Sequence, residues 1–169
     1  MRVVQVPVNR FKALAKDPRM MRMIKENGNV ELQLMEDSRI KIEGESSNEW
    51  VTEQVLSAVA LGFEPAKAMK LFKEDFYMEK IDLSNVLRSD KAITRQKARI
   101  IGEKGRAKRT IEELTDAYLA ISEKKVAILG HYEDIQLAKE AISRLVRGDT
   151  HATVYAFLEK KRRESKTLF

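Results

Sequence analysis

The chain has no cysteine. Disulfide scaffolds, cysteine-ligated zinc sites and thiol catalysis are therefore excluded. No apolar run approaches the roughly 18 residues that a membrane-spanning helix needs. The opening segment, MRVVQVPVNRFKALAKD, carries basic residues but neither a long apolar stretch nor a small-residue cleavage site. It does not read as a secretory signal, and the expected compartment is the cytoplasm. Histidine is scarce, with only His131 and His151. Neither has a partner at ligand or triad spacing, so a surface or capping role is expected for both. P-loops, dinucleotide fingerprints and nucleophile elbows are also missing. The carboxylate pairs Glu112-Glu113 and Glu36-Asp37 are adjacent and do not face a shared site. No catalytic set emerges, no cofactor is called for, and a non-enzyme is expected.

What is present suits one compact domain or two small ones: 169 residues, 43% of them apolar. Charged residues reach 34%, above the usual share of about a quarter. The net charge of +6 is unevenly placed. Residues 1–87 sum to −1, residues 110–169 to zero, and residues 88–109 to +7. A short, strongly basic stretch of this kind attracts polyanions and speeds encounter with them.

The sequence also repeats itself. A largely apolar run ends at Gly44 and again at Gly130, and an amphipathic helical stretch follows each to Gly62 and Gly148. Val51, Val55 and Val59 fall opposite Leu137, Ala141 and Leu145 as one helix stripe. Upstream, Val30, Leu32 and Leu34 alternate as Ala117, Leu119 and Ile121 do, which predicts a strand with one buried face. Helical segments precede each strand: MMRMIKEN and RAKRTIEEL, and before them segments bearing Phe11 and Leu14 or Ala98 and Ile101. Extended stretches open the copies, Val3 to Val8 and Met78 to Leu83. Each copy thus predicts strand, helix, helix, strand, strand, helix. The fold class expected is α+β, two units of three-stranded antiparallel sheet backed by helices. The units are expected at residues 1–77 and 78–169, with residues 63–77 extending the last helix of the first and linking the two. Trp50 is expected in a core.

In the second copy the two helices meet at Ile100-Ile101-Gly102-Glu103-Lys104-Gly105. Glycine lets a sugar-phosphate backbone approach the main chain closely. A helix N-terminus offers amides and a dipole that favour phosphate. Cations flank the loop: Arg95 and Arg99 before it, Arg106, Lys108 and Arg109 after it. Cations at a helix N-terminus oppose its dipole, a cost that a bound anion would relieve. The candidate RNA-binding residues are therefore Arg95, Arg99, Ile100, Ile101, Gly102, Glu103, Lys104, Gly105, Arg106, Lys108 and Arg109. Leu119 and Ile121 are further candidates for the groove floor. In the first copy the matching loop is Ala15-Lys16-Asp17-Pro18-Arg19, with no glycine. Close backbone approach is not available there, although Lys16, Arg19 and Arg22 could touch phosphate at the margin. The run Lys160-Lys161-Arg162-Arg163 reads as a solvated helix end matched to its dipole, with nonspecific phosphate contacts as the alternative.

The G-x-x-G loop inside this element order resembles a KH domain of type I. The stretch GEKGRAKRTIEELTDAYLAISEKKVAILGHYEDIQLAKEAISRLVRGDTHATVYAFLEKKRRE is similar to the archaeal form of the Pno/Dim-type KH proteins. Most KH domains have an apolar residue three positions after the second glycine. Here that position is Lys108 and the apolar residue is Ile111, a shift this family shares, followed by an acidic residue and a threonine matched by Glu112 and Thr115. A degenerate first KH-like unit is a family feature too. The resemblance implies a small-subunit assembly factor that binds single-stranded rRNA near its 3′ end. It implies two protein partners, the endonuclease that trims that end and translation initiation factor two. A rival reading is a protein-interaction scaffold that recruits a nuclease or initiation factor, with RNA binding secondary.

Overall fold

A computed structural model describes residues 1–167. The chain divides into two compact units, Met1–Phe76 and a second that begins at Tyr77. Tyr77 already belongs to a strand of the second unit, one residue before the expected boundary.

The first unit runs β1 (Arg2–Gln5), α1 (Val8–Ala15), α2 (Pro18–Gly28), β2 (Glu31–Leu34), β3 (Arg39–Glu43) and α3 (Ser46–Leu61). Its sheet is antiparallel, in the order β1-β3-β2. The extended stretch expected over Val3 to Val8 is shorter than that. Pro7 takes the N-cap position and α1 begins at Val8. Ile24, Ile40, Ile42, Val55, Leu56 and Val59 are buried at its centre. Each such side chain contributes about 1.5–3 kcal/mol when withdrawn from water.

Residues 63–77 do not extend α3, contrary to the sequence reading. Gly62 ends that helix at φ 121°. The amides of Gly62 and Phe63 bond back to Val59 and Ala58, both at 3.1 Å, the reversal that commonly closes a helix at glycine. Pro65 then opens a separate short helix, α4 (Pro65–Ala68), followed by a 3-10 turn over Met69–Phe72. Trp50 is also misplaced by the sequence reading: it lies on α3 but is 53% exposed.

The second unit runs β4 (Tyr77–Asp82), α5 (Asp90–Ile101), α6 (Arg106–Thr115), β5 (Tyr118–Ser122), β6 (Lys125–Gly130), α7 (Tyr132–Arg147) and α8 (His151–Thr167). Its antiparallel sheet has the order β4-β6-β5, which leaves β5 at an edge. Ile100, Ile111, Leu119, Val126, Ile128, Ile135, Ile142 and Leu145 pack into one core with Val154 and Leu158 of α8. The final helix is thus part of this core. Both units share the order β-α-α-β-β-α, and the second adds α8. No helix among the described residues is long and apolar enough to cross a membrane.

Candidate nucleic-acid interface

The joint between α5 and α6 is built from three residues with positive φ. Gly102 adopts φ 75°, ψ 172°, a combination essentially restricted to glycine. Lys104 follows at φ 55°, ψ 27°, and Gly105 at φ 75°, ψ 14°. The Gly105 amide donates to the Gly102 carbonyl at 3.1 Å, closing the turn. A Cβ on Gly102 would lie 2.6 Å from both the Cβ and the amide nitrogen of Ala107. The first glycine therefore lets the loop fold flat against the first turn of α6. A Cβ on Gly105 would make only an ordinary 3.5 Å contact with Arg109 Nη1.

Gly105 occupies the N-cap position of α6 and has no side chain to cap it, and the first turn holds no acidic residue. The amides at a helix start have no intrahelical acceptor. Exposed Glu103, Lys104, Arg106 and Arg109 surround this end. Arg109 Nη1 also donates to the Lys104 carbonyl at 2.9 Å, so this cation braces the loop as well as charging it.

The corresponding joint in the first unit is closed. Asp17 is the N-cap of α2, and its Oδ1 accepts from the Met20 amide at 3.0 Å. Pro18 stands at the first helical position, where its missing N–H costs nothing. An internal carboxylate sits where the second unit leaves a bare, positive helix end. Lys16, Arg19 and Arg22 are exposed around it.

The structure separates the expected site residues. Gly102, Glu103, Lys104, Gly105, Arg106 and Arg109 cluster at the loop, and Arg95 is exposed on α5. Lys108 follows on α6, with Nζ 3.5 Å from Glu112 Oε1. Ile101 is half-buried. Ile100 is not a surface residue at all: it is 0% exposed and packs in the core, as α5 turns that face inward. Leu119, expected in a groove floor, also points its side chain into the core, at 2% exposed, while Ile121 is half-buried against it.

Arg99 is reassigned by its geometry. Its guanidinium donates to the Leu145 carbonyl, and to the Asp149 carbonyl at 2.5 Å. Leu145 lies in the last turn of α7, where a cation is favoured by the dipole, and Asp149 follows the Gly148 cap of that helix. In return His151 Nε2 lies 2.8 Å from the Arg99 carbonyl near the end of α5. Arg99 and His151 thus clasp the last turn of α5 to the α7–α8 junction, and the guanidinium is committed there.

Sequence reasoning missed the contacts of three side chains. Glu112 Oε2 accepts the Leu119 amide at 3.0 Å, and Thr115 Oγ1 accepts the Ala117 amide at 3.2 Å. Arg162 Nη1 reaches the Glu113 carbonyl at 3.1 Å, the Leu114 carbonyl at 3.4 Å and Asp116 Oδ2 at 3.3 Å. One member of the Lys160–Arg163 run therefore caps the end of α6, instead of being solvated as expected. The only advance signal was the position of Glu112 and Thr115 in the family pattern.

A family model for the second KH domain of Pno1, described as a eukaryotic-type KH domain (KH domain type I), matches residues 77–163. The KH domain-containing protein MJ0443 of Methanocaldococcus jannaschii is 34% identical over 170 residues, covering 97% of this chain and 75% of that protein. The chain belongs to the Pno1/Dim2 family of KH-domain proteins. A second member, the RNA-binding protein pno1 of Dictyostelium discoideum, is 36% identical over 104 residues, 60% of this chain. The match spans 43% of that eukaryotic protein, less than half its length. Among solved structures, the a/eIF2alpha–aDim2p–rRNA complex from Pyrococcus horikoshii contains a chain with 30% identity and a TM-score of 0.84. That likeness covers 96% of this chain and 94% of the other.

Proposed function

We propose that this protein binds single-stranded small-subunit rRNA near its 3′ end during ribosome assembly, through the second unit. One observation carries the reading. The α6 start is uncapped, its first turn holds no acid and Lys104, Arg106 and Arg109 surround it, whereas the matching α2 start is filled by Asp17. A phosphate would supply the anion that the second loop lacks. Glycine-flanked loops of this kind clamp a nucleic-acid backbone, and the adjoining groove reads bases.

Both units are read as type I KH-like units in tandem, the first degenerate and supporting. Loop residues Gly102, Glu103, Lys104 and Gly105, with Arg95, Ile101, Arg106, Lys108 and Arg109, form the RNA contact. The protein acts without catalysis, in the cytoplasm. Partnership with the α subunit of initiation factor two is proposed because the related Pyrococcus chain is in a complex with a/eIF2alpha and rRNA. An rRNA 3′-end endonuclease is the second proposed partner, on the family resemblance. Crosslinking in the native host, with sequencing of the bound RNA, tests this reading. Recovery of small-subunit 3′ sequences is expected, and recovery of no rRNA would overturn it.

A further inference from the structure

The sheet of the first unit ends at β2, which pairs with β3 along one side and presents its other side outward. The Met35 amide donates to the Arg39 carbonyl at 2.8 Å, and the register continues as Gln33↔Lys41 and Glu31↔Glu43. In an antiparallel ladder the residues between these turn their amides and carbonyls away from the partner strand. Those residues are Leu32 and Leu34. Their outward amides find no acceptor among the described residues. Their side chains lie opposite the buried Ile42 and Ile40, yet Leu34 is 38% exposed and Leu32 only half-buried.

One substitution between the two units keeps this edge open. In the second unit Glu112 accepts the amide of Leu119, seven residues later. Lys25 precedes Leu32 by the same seven residues. An ammonium has no acceptor to offer an amide. Lys25 Nζ turns instead to Glu31 Oε2, at 2.7 Å.

The surroundings favour an acidic peptide as the occupant. An added strand needs a donor and an acceptor at every second residue, which Leu32 and Leu34 supply in succession, and apolar pockets for its alternate side chains. After α2 the chain reverses at Asn29, φ 51°, and β2 runs back along the helix with Lys25 beside Glu31. Three helical residues advance about 4.5 Å and one strand residue about 3.3 Å. Arg22 therefore draws level with Leu32, and Arg19 with Leu34. Both cations are exposed and form no ion pair among the described residues. RNA fits this edge less well, because Asp17 already fills the helix start where a phosphate would anchor.

We propose that the β2 edge of the first unit is a docking site for a protein partner, which adds an extended segment of alternating acidic and apolar residues as a fourth strand. Leu32 and Leu34 supply the main-chain ladder, and Arg19 and Arg22 select the charge. The assignment is independent of the RNA reading of the second unit.

The test uses the full chain and a labelled peptide of alternating glutamate and valine, beside a counterpart with lysine for glutamate and a labelled oligouridylate. Fluorescence anisotropy measures affinity, and amide hydrogen exchange by NMR locates the contact. The glutamate peptide is expected to bind more tightly than the lysine peptide and to slow exchange at Leu32 and Leu34. Leu34→Pro removes one outward donor and leaves the pairs with β3 intact, a substitution that an edge strand tolerates. It should weaken the glutamate peptide by about five-fold, the worth of one hydrogen bond. Arg22→Glu should narrow or reverse the preference between the peptides while circular dichroism stays native. Equal binding of the two peptides, or no peptide-induced protection at Leu32 and Leu34, overturns the assignment. Protection of these amides by oligouridylate and not by peptide makes the edge an RNA contact and overturns it too. If Leu34→Pro does not fold, wild-type exchange and the peptide preference of Arg22→Glu decide it.

Discussion

Gly102 and Ala107 pack so closely that a Cβ on the glycine would lie 2.6 Å from the alanine Cβ and 2.6 Å from its amide nitrogen. This contact lets α5 and α6 meet through so short a loop. Gly102→Ala combines the clash with a backbone conformation reserved for glycine, and should destabilise the protein by about 2 kcal/mol or more. Gly105→Ala meets only ordinary contacts and should cost about 1 kcal/mol, for its left-handed φ. Chemical denaturation of both variants checks the ranking; equal costs would contradict it.

Arg99 and Arg106 should behave differently although both flank the loop. Arg99→Ala removes donors to the end of α7 and should lower stability by about 2 kcal/mol. The salt dependence of RNA binding should not change. Arg106→Ala should leave stability nearly intact and flatten the log–log salt slope by about 0.7, one phosphate contact. Its effect should be similar for unrelated RNA sequences, since phosphate contacts position without specifying. A flattened slope in Arg99→Ala would restore it to the phosphate clamp.

Asp17→Ala removes the N-cap of α2 and should cost about 1 kcal/mol of stability. RNA affinity should remain within about two-fold, because the first unit's loop is not the main contact and its neighbouring cations remain exposed. Thermal denaturation and a binding isotherm measure the two effects separately. A large loss of affinity in the folded variant would show that the first unit binds RNA directly.

Glu49 predicts a pH dependence with a definite sign. Its carboxyl is held below the ordinary value of 4.5, first by the hydrogen bond from the Met1 ammonium and next by the Gly44 amide. A depressed folded-state pKa contributes stability above the ordinary value, and that contribution is lost as pH falls through the folded-state value. Glu49→Gln should therefore be less stable than wild type near neutrality, and the gap should narrow as pH falls below 4.5. Urea denaturation across that range checks it, and a gap independent of pH would contradict it.

Element order was legible in the sequence because period and punctuation agreed: alternating Leu119 and Ile121, the Val55–Val59 stripe, and glycines at 62 and 148 all lie where the pattern placed them. Local signals could not show where long side chains end. Arg99 has the charge and spacing of a phosphate contact, and only the fold brings the Leu145 and Asp149 carbonyls, 46 and 50 residues away, to its guanidinium. Ile100 failed for a related reason. The apolar face of α5 serves the core, and sequence alone did not fix which of two adjacent isoleucines points inward. Trp50 shows the opposite error: a large aromatic on an amphipathic helix predicts a core position, and the side chain lies exposed.

The central claim is that the second unit's glycine-flanked loop holds an RNA backbone. Glu103→Asp with Lys104→Asp keeps both glycines and sets two carboxylates beside the start of α6. Fluorescence anisotropy with a labelled single-stranded RNA, run beside circular dichroism, measures binding and fold together. The account predicts loss of most affinity with native dichroism; wild-type affinity in the folded double variant would contradict it.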